Sequence, residues 1–171
     1  QHTYPRLEIE KYPVESSNTV TYKVFNYRIG KLYTISVTIQ PNEAYDFTWK
    51  VYHYPGERVD MGKYEAEVCN KIIGEALGTR AIRTIIEKLK QYSNGDPELY
   101  CNLAMQITVQ MSYDSEKGFG ILFNIDTDWR ARNPLKVLID RRCICFEASL
   151  LYVTLLAGAG LDVYLVEANV S

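Results

Sequence analysis

Histidine is scarce in this sequence: there are two among 171 residues, His2 and His53, and neither follows the cysteines. The shortage bears on chemistry, because a thiol nucleophile is commonly activated by a histidine base. Long apolar runs are missing as well. A membrane-spanning helix needs roughly 20 consecutive apolar residues, and the longest run here, 150–166, is broken by Gly158, Gly160 and Asp162. Helix followed by strand is the better reading of it, and no membrane span is expected. A basic stripe, the electrostatic footprint of a nucleic-acid binder, is also lacking. Net charge is −2, from 19 basic and 21 acidic residues interspersed along the chain, so no nucleic-acid partner is expected. Internal repeats and low-complexity tracts are not found.

The length fits one domain able to bury a sizeable core. The chain starts at Gln1 rather than Met, which fits a removed signal peptide or a trimmed N-terminus. Fourteen tyrosines and a first third rich in Thr, Tyr and Val fit an extracellular or cell-surface setting. The four cysteines leave the compartment open. Cys143 and Cys145 are too close for an easy mutual bridge. Cys69 and Cys101 fall on separate expected helices, where they can pair in an oxidising compartment or serve as small buried residues.

Residues 1–60 read as β-structure. Alternation over 19–28 and 31–39, turned at Ile29-Gly30, gives a hairpin. A third strand over 45–54 ends at Pro55-Gly56. Residues 1–18 hold one further strand, 6–11, as an edge or an extended arm. From 61 the period becomes helical. Val68, Ile72, Ile73 and Ala76 share a face; Gly78-Thr79 breaks the run, and Ile82, Ile85, Ile86 and Leu89 resume it. Asp96-Pro97 and Asn133-Pro134 are helix starts, a capping side chain followed by proline at the first position. Residues 114–132 read as a loop with a short strand near 120–124. A helix from Cys145 to about Ala157 is apolar on every face and should be central, with a strand over 161–168 after it. The expected fold is α+β: an N-terminal antiparallel β-sheet over 1–60, then a helical core over 61–171 with a buried Cys-bearing helix and a C-terminal strand.

Cys145 is the candidate for chemistry. A helix N-terminus presents unpaired N–H groups and a dipole that favour a thiolate, and Arg141 and Arg142 add positive potential. Without a base a thiol stays mostly protonated at neutral pH, so this placement by itself gives mild activation. Buried packing is the competing account of both Cys143 and Cys145. Zinc needs four ligands, and no second close pair accompanies Cys143-x-Cys145. No metal and no cofactor is expected.

The order of these motifs resembles the transglutaminase-like superfamily. Cys143-Ile144-Cys145-Phe146-Glu147-Ala148-Ser149-Leu150 is similar to the family's Gly-Asp-Cys-Glu-Asp-x-Ser-x-Leu signature. The likeness continues through Leu155-Leu156, Gly160-Leu161-Asp162-Val163 and Leu165-Val166. Val109 to Asp114 looks like a Val-Gln-x-x-Tyr helix end, and Asn133 to Leu138 looks like a Pro-x-Glu-Thr-Leu helix. The resemblance implies papain-like cysteine chemistry with Cys145 as nucleophile, followed by a His and an Asp on later strands. Here the His register falls near Asn169, and Lys136 stands where an acid is expected. Three accounts follow: a fragment of an active thiol enzyme, an incomplete domain reused for interaction or assembly, or a rearranged site in which His53 reaches Cys145. The leading expectation is the second, with a protein partner or self-association by strand addition, the arm 1–18 completing a neighbour's sheet. In the enzyme account Cys145 attacks amide bonds and Gln110, with backbone N–H groups, steadies the oxyanion. An internal helix-end hydrogen bond is the other reading of Gln110. Asn169-Val170-Ser171 also fits a glycosylation acceptor pattern.

Overall fold

The structure is a computed structural model and describes residues 5–123 and 129–166. It is mixed α and β with an antiparallel N-terminal part. The strands β2 (Asn18–Asn26) and β3 (Lys31–Ile39) form the expected hairpin, turned at Gly30 with φ +66°. The strands β1 (Arg6–Pro13) and β4 (Tyr45–Tyr52) pair antiparallel over their whole length and enclose that hairpin in sequence. The result is two sheets rather than one. The two-residue strand β6 (Ala131–Arg132) adds to the far edge of β4, giving the order β1-β4-β6. Residues 6–13 are therefore the edge strand of their own chain's sheet, not an extended arm. Eight residues of continuous pairing hold them there.

Alternation decides which face of the hairpin is buried. Val20, Tyr22 and Val24 of β2 point inward with Ile35, Val37 and Ile39 of β3. The outward face carries paired hydroxyls, Thr19 with Thr38 and Thr21 with Ser36. Helices α1 (Met61–Leu77), α2 (Arg80–Tyr92), α3 (Pro97–Val109) and α5 (Pro134–Asp140) start at side-chain caps: Asp60, Thr79, Asp96 and Asn133 each accept from a backbone N–H of the first turn. Each such cap is worth about 1 kcal/mol. Asn133 is buried and does more. Its Oδ1 also accepts from the Tyr45 N–H and its Nδ2 donates to the Glu43 carbonyl, which ties α5 to β4.

Helix α6 (Cys145–Gly158) separates two apolar clusters. Leu151, Leu155 and Leu156 join the larger one with β2, β3, α2, α3 and α5. Leu150 and Phe146 join the smaller one with Tyr45, Phe47, Val68 and Ile72. A helix packed on opposite sides by separate clusters must be apolar nearly all round, which accounts for its composition. Gly158 lies against the side chains of Ile86 and Leu77, which a larger residue there would have to displace.

Two expected strands are not formed. In place of a strand near 120–124, residues up to Leu122 belong to helix α4 (Ser115–Leu122), capped by Asp114; residue 124 lies outside the described residues. A short apolar run cannot distinguish strand from helix by periodicity, and the Asp114 cap decides it. Residues 161–166 have no regular structure, although their sequence is strand-like, and among the described residues no strand pairs with them; 167–168 lie outside the described residues. The short strands β5 (Ser112–Tyr113) and β7 (Arg142–Cys143) pair parallel and bring the end of α3 to the start of α6. Among the described residues no helix is long and apolar enough to cross a membrane.

Candidate functional site

Cys145 is the first residue of α6 and is exposed. It faces a groove of about 830 Å³. One wall is a triangle of rings: Trp49 on β4, Trp129 and Phe146, with centroids 6.2 to 6.4 Å apart. Gly62, Glu65, Ala66, Cys69, Asn70 and Ile73 of α1 form another side, Ile121 of α4 a third, and Val163 to Val166 the fourth. Ser149 and Val153 continue the surface along α6, and the Ser149 hydroxyl donates back to the Cys145 carbonyl at 2.8 Å. The groove is thus mainly apolar, with a thiol at the start of a helix as its most nucleophilic group.

The N-terminus of α6 is held from below by a buried ionic cluster. Glu147 is fully buried, and its carboxylate accepts from four donors: the Ile144 N–H (2.9 Å), the Arg132 N–H (2.7 Å), Arg132 Nη1 (3.0 Å) and Lys117 Nζ (2.8 Å). The first of these is half of a capping box. Ile144 has no side-chain oxygen to complete the other half, so the remaining first-turn N–H groups stay uncapped by any side chain. Arg132 also pairs with Asp114 at 2.9 Å and Asp140 at 2.8 Å, so one guanidinium holds three carboxylates. Asp114 in turn caps α4 and receives Arg142, while Lys136 pairs with Asp140. Burial pushes the Asp114 carboxyl up, but the Lys117 N–H and the guanidinium groups of Arg132 and Arg142 outweigh it and hold it below the usual range. Burial also lowers the Arg132 guanidinium's affinity for its proton, and its carboxylate partners more than restore it.

The cysteines differ sharply. Cys143 is buried, and desolvation with the nearby Glu147 carboxylate raises its thiol. Cys69 is buried at the groove's edge, and desolvation with Glu65 pushes it up to about 11. All four cysteines are unbridged, so the Cys69–Cys101 pairing is not made in this structure.

The other sequence candidates lie elsewhere. Gln110 caps the end of α3, and its Nε2 donates to the Lys23 and Gln106 carbonyls; it does not line the groove. Its internal helix-end bond is the reading that the structure matches. His53 follows β4 on the surface with Nδ1 2.9 Å from the Tyr54 carbonyl, and it does not line the groove either. Arg141 donates to the Thr21 carbonyl and stacks on Tyr22, and Arg142 pairs with Asp114, so neither is directed at Cys145. His2, Asn169 and the 169–171 acceptor pattern lie outside the described residues. Sequence reasoning missed Trp49, Trp129 and Arg132. The two tryptophans are 80 positions apart, 129 − 49, and only the pairing of β4 with β6 brings them together. A lone arginine in an apparent loop carries no signal of the three carboxylates around it. Among the described residues no group of three or more His, Cys, Asp or Glu side chains is arranged to hold a metal.

No protein-family model, no curated protein and no solved structure matches this chain.

Proposed function

We propose that this chain is a transglutaminase-like domain that works by protein interaction rather than by turnover, with the groove beside Cys145 as its recognition surface. The observation that carries the reading is the state of Glu147. It is the carboxylate nearest in sequence to Cys145, and its two oxygens accept from four donors, the Arg132 and Ile144 N–H groups, Arg132 Nη1 and Lys117 Nζ. A carboxylate so engaged is a structural anchor for the helix start, with its lone pairs committed to donors other than the thiol. No histidine lines the groove among the described residues. What the groove offers instead is apolar surface, with the tryptophan and phenylalanine rings that dominate binding energetics at protein interfaces.

The second reading, a thiol enzyme acting through Cys145, is favoured by one feature: the thiol is exposed at an uncapped helix start, the position in which a developing negative charge is stabilised. One experiment separates the two. The protein is incubated with a glutamine-containing protein and a fluorescent primary amine, and separately with p-nitrophenyl acetate, beside a Cys145→Ala control. The interaction reading expects no Cys145-dependent amine incorporation and no burst of nitrophenol. Multiple turnovers that disappear in the alanine variant would overturn it and establish acyl transfer.

A further inference from the structure

The turn end of the β2–β3 hairpin displays apolar side chains to water. Phe25, Tyr27, Ile29 and Leu32, four of eight consecutive residues, are between 42% and 58% exposed. The turn that carries them is firmly held. Asn26 is buried; its Oδ1 accepts from the Arg28 and Ile29 N–H groups, and its Nδ2 donates to the Tyr92 carbonyl at 2.9 Å. The Gln106 side chain accepts from the Phe25 N–H and donates to the Phe25 carbonyl. Tyr33 stacks on Tyr92 with ring centroids 3.9 Å apart. These contacts fix the backbone of the tip against α2 and α3 and leave its four apolar side chains outside the core. A contiguous apolar patch of this kind marks an interaction site.

The outward side chains change chemistry in order along the hairpin. Thr21 stands opposite Ser36, then Lys23 opposite Thr34, then Phe25 opposite Leu32, and the turn follows. Each step is two residues, roughly 7 Å at about 3.4 Å per residue. Charge on the hairpin has one sign: between Asn18 and Ile39 stand Lys23, Arg28 and Lys31, with no Asp or Glu. The acids that reach the tip, Asp96 and Glu98 of α3, are both engaged by Arg28. Lys31 lies over the Tyr33 ring, 5.1 Å from its centroid, and among the described residues neither Lys23 nor Lys31 pairs with a carboxylate. We propose that this turn end docks on an anionic lipid bilayer, with Phe25, Tyr27, Ile29 and Leu32 in the headgroup–acyl boundary and Lys23 and Lys31 at the level of the lipid phosphates. The order of the side chains and their charge select this occupant. Interfacial segments bury their apolar groups roughly 5–10 Å deep, which is one hairpin step, and that step separates the Phe25–Leu32 pair from Lys23. Basic residues at the rim are drawn to anionic headgroups, and long lysine stems let the ammonium groups reach them. Tyrosine suits the same boundary, with an apolar ring and a polar tip. The hydroxyls of Thr21 and Ser36 then remain in water. The proposal stands apart from the groove beside Cys145 and from whether that thiol reacts.

The test is co-sedimentation of the full chain with vesicles of phosphatidylcholine alone, and with about one-third phosphatidylserine. The expected result is saturable binding to the anionic vesicles, weaker by about tenfold on the neutral ones and lost as salt is raised to about 0.5 M. Ile29→Asp should weaken binding by about tenfold, because it puts a charge at the deepest point of the tip. Lys23→Gln and Lys31→Gln should each weaken it by about fivefold, the factor for one basic residue near an anionic surface. Phe119→Asp, in the exposed ring stack with Phe123 on α4, should bind as the wild type does. Circular dichroism and urea unfolding establish that each variant is folded. Absence of binding to anionic vesicles overturns the proposal. So does equal binding to neutral vesicles, or binding that Phe119→Asp removes and Ile29→Asp does not. A chain that binds no vesicle but self-associates in sedimentation, with Ile29→Asp monomeric, overturns it in favour of a second copy as the occupant of the tip.

Discussion

Glu147 is the sharpest place to perturb this protein. The change Glu147→Gln keeps the shape of the side chain and removes its charge. In the wild type four donors converge on the carboxylate, two of them buried backbone N–H groups at residues 132 and 144. Breaking one partner out of a buried ion pair costs about 3–5 kcal/mol. Two features reduce that here. Arg132 retains Asp114 and Asp140, and Lys117 lies near enough to the surface to find water. The Gln amide oxygen also still accepts, whereas its NH2 group faces donors and leaves about one buried N–H unsatisfied, at ~1–3 kcal/mol. The net expectation is a loss of roughly 3 kcal/mol, equivalent to about 6–12 °C in Tm for a chain of this size. Urea unfolding followed by tryptophan fluorescence and by far-ultraviolet circular dichroism measures it. Arg132→Met should be worse, because it takes a cation from three carboxylates at once and leaves Asp114 with Arg142, Asp140 with Lys136 and Glu147 with Lys117. A loss below about 1 kcal/mol for Glu147→Gln, at unchanged m value, would refute the claim that this cluster anchors the start of α6.

Further outcomes follow from the same geometry. Asp114 has a depressed folded pKa, so its contribution is present above the unfolded value near ~3.9 and is lost as pH falls through the folded value; Asp114→Asn should flatten the acid limb of a stability-versus-pH curve. Tyr22 donates to the Leu138 carbonyl at 2.5 Å, and burial, opposed by Arg141 and reinforced by Cys143, pushes it up to about 12. Its contribution is full below the unfolded value near ~10 and lost as pH rises towards the folded one, so Tyr22→Phe should lower stability by about 1 kcal/mol at pH 8 and by less at pH 11.5 in urea titrations. Iodoacetamide at pH 8 should label Cys145 in the native protein, while Cys69 and Cys143, both buried with raised thiols, react only after unfolding; peptide mapping by mass spectrometry decides. Gln106 pairs through its side chain with both the N–H and the C=O of Phe25, and Gln110 covers the Lys23 carbonyl, so α3 shields the outer edge of β2. The double change Gln106→Ala and Gln110→Ala should bare that edge and raise self-association by light scattering, whereas unchanged scattering would count against the shielding role.

Much of the architecture was legible in the sequence, because local signals have local causes. The period-2 alternation of 19–28 and 31–39 fixes a hairpin, since a half-buried strand must alternate. Asp96-Pro97 and Asn133-Pro134 fix helix starts because their caps act within one turn. The all-round apolar character of 145–157 required a helix packed on opposite sides, and the two clusters that flank α6 provide the packing. A cysteine at the head of that helix was readable as well, but that Cys143 is buried and Cys145 exposed was not, since packing was open for both.

Tertiary structure alone decided the rest. Pairing of β1 with β4 across the intervening hairpin is a long-range choice, made by which faces can be buried together, and it split the expected sheet in two. The ring triangle of Trp49, Trp129 and Phe146, and the convergence of Asp114, Asp140 and Glu147 on Arg132, join residues far apart along the chain and leave no periodic trace. Residues 161–166 show the limit most directly. Their side chains specify a strand, but a strand exists only beside a neighbour, and its presence depends on the three-dimensional surroundings rather than on the segment.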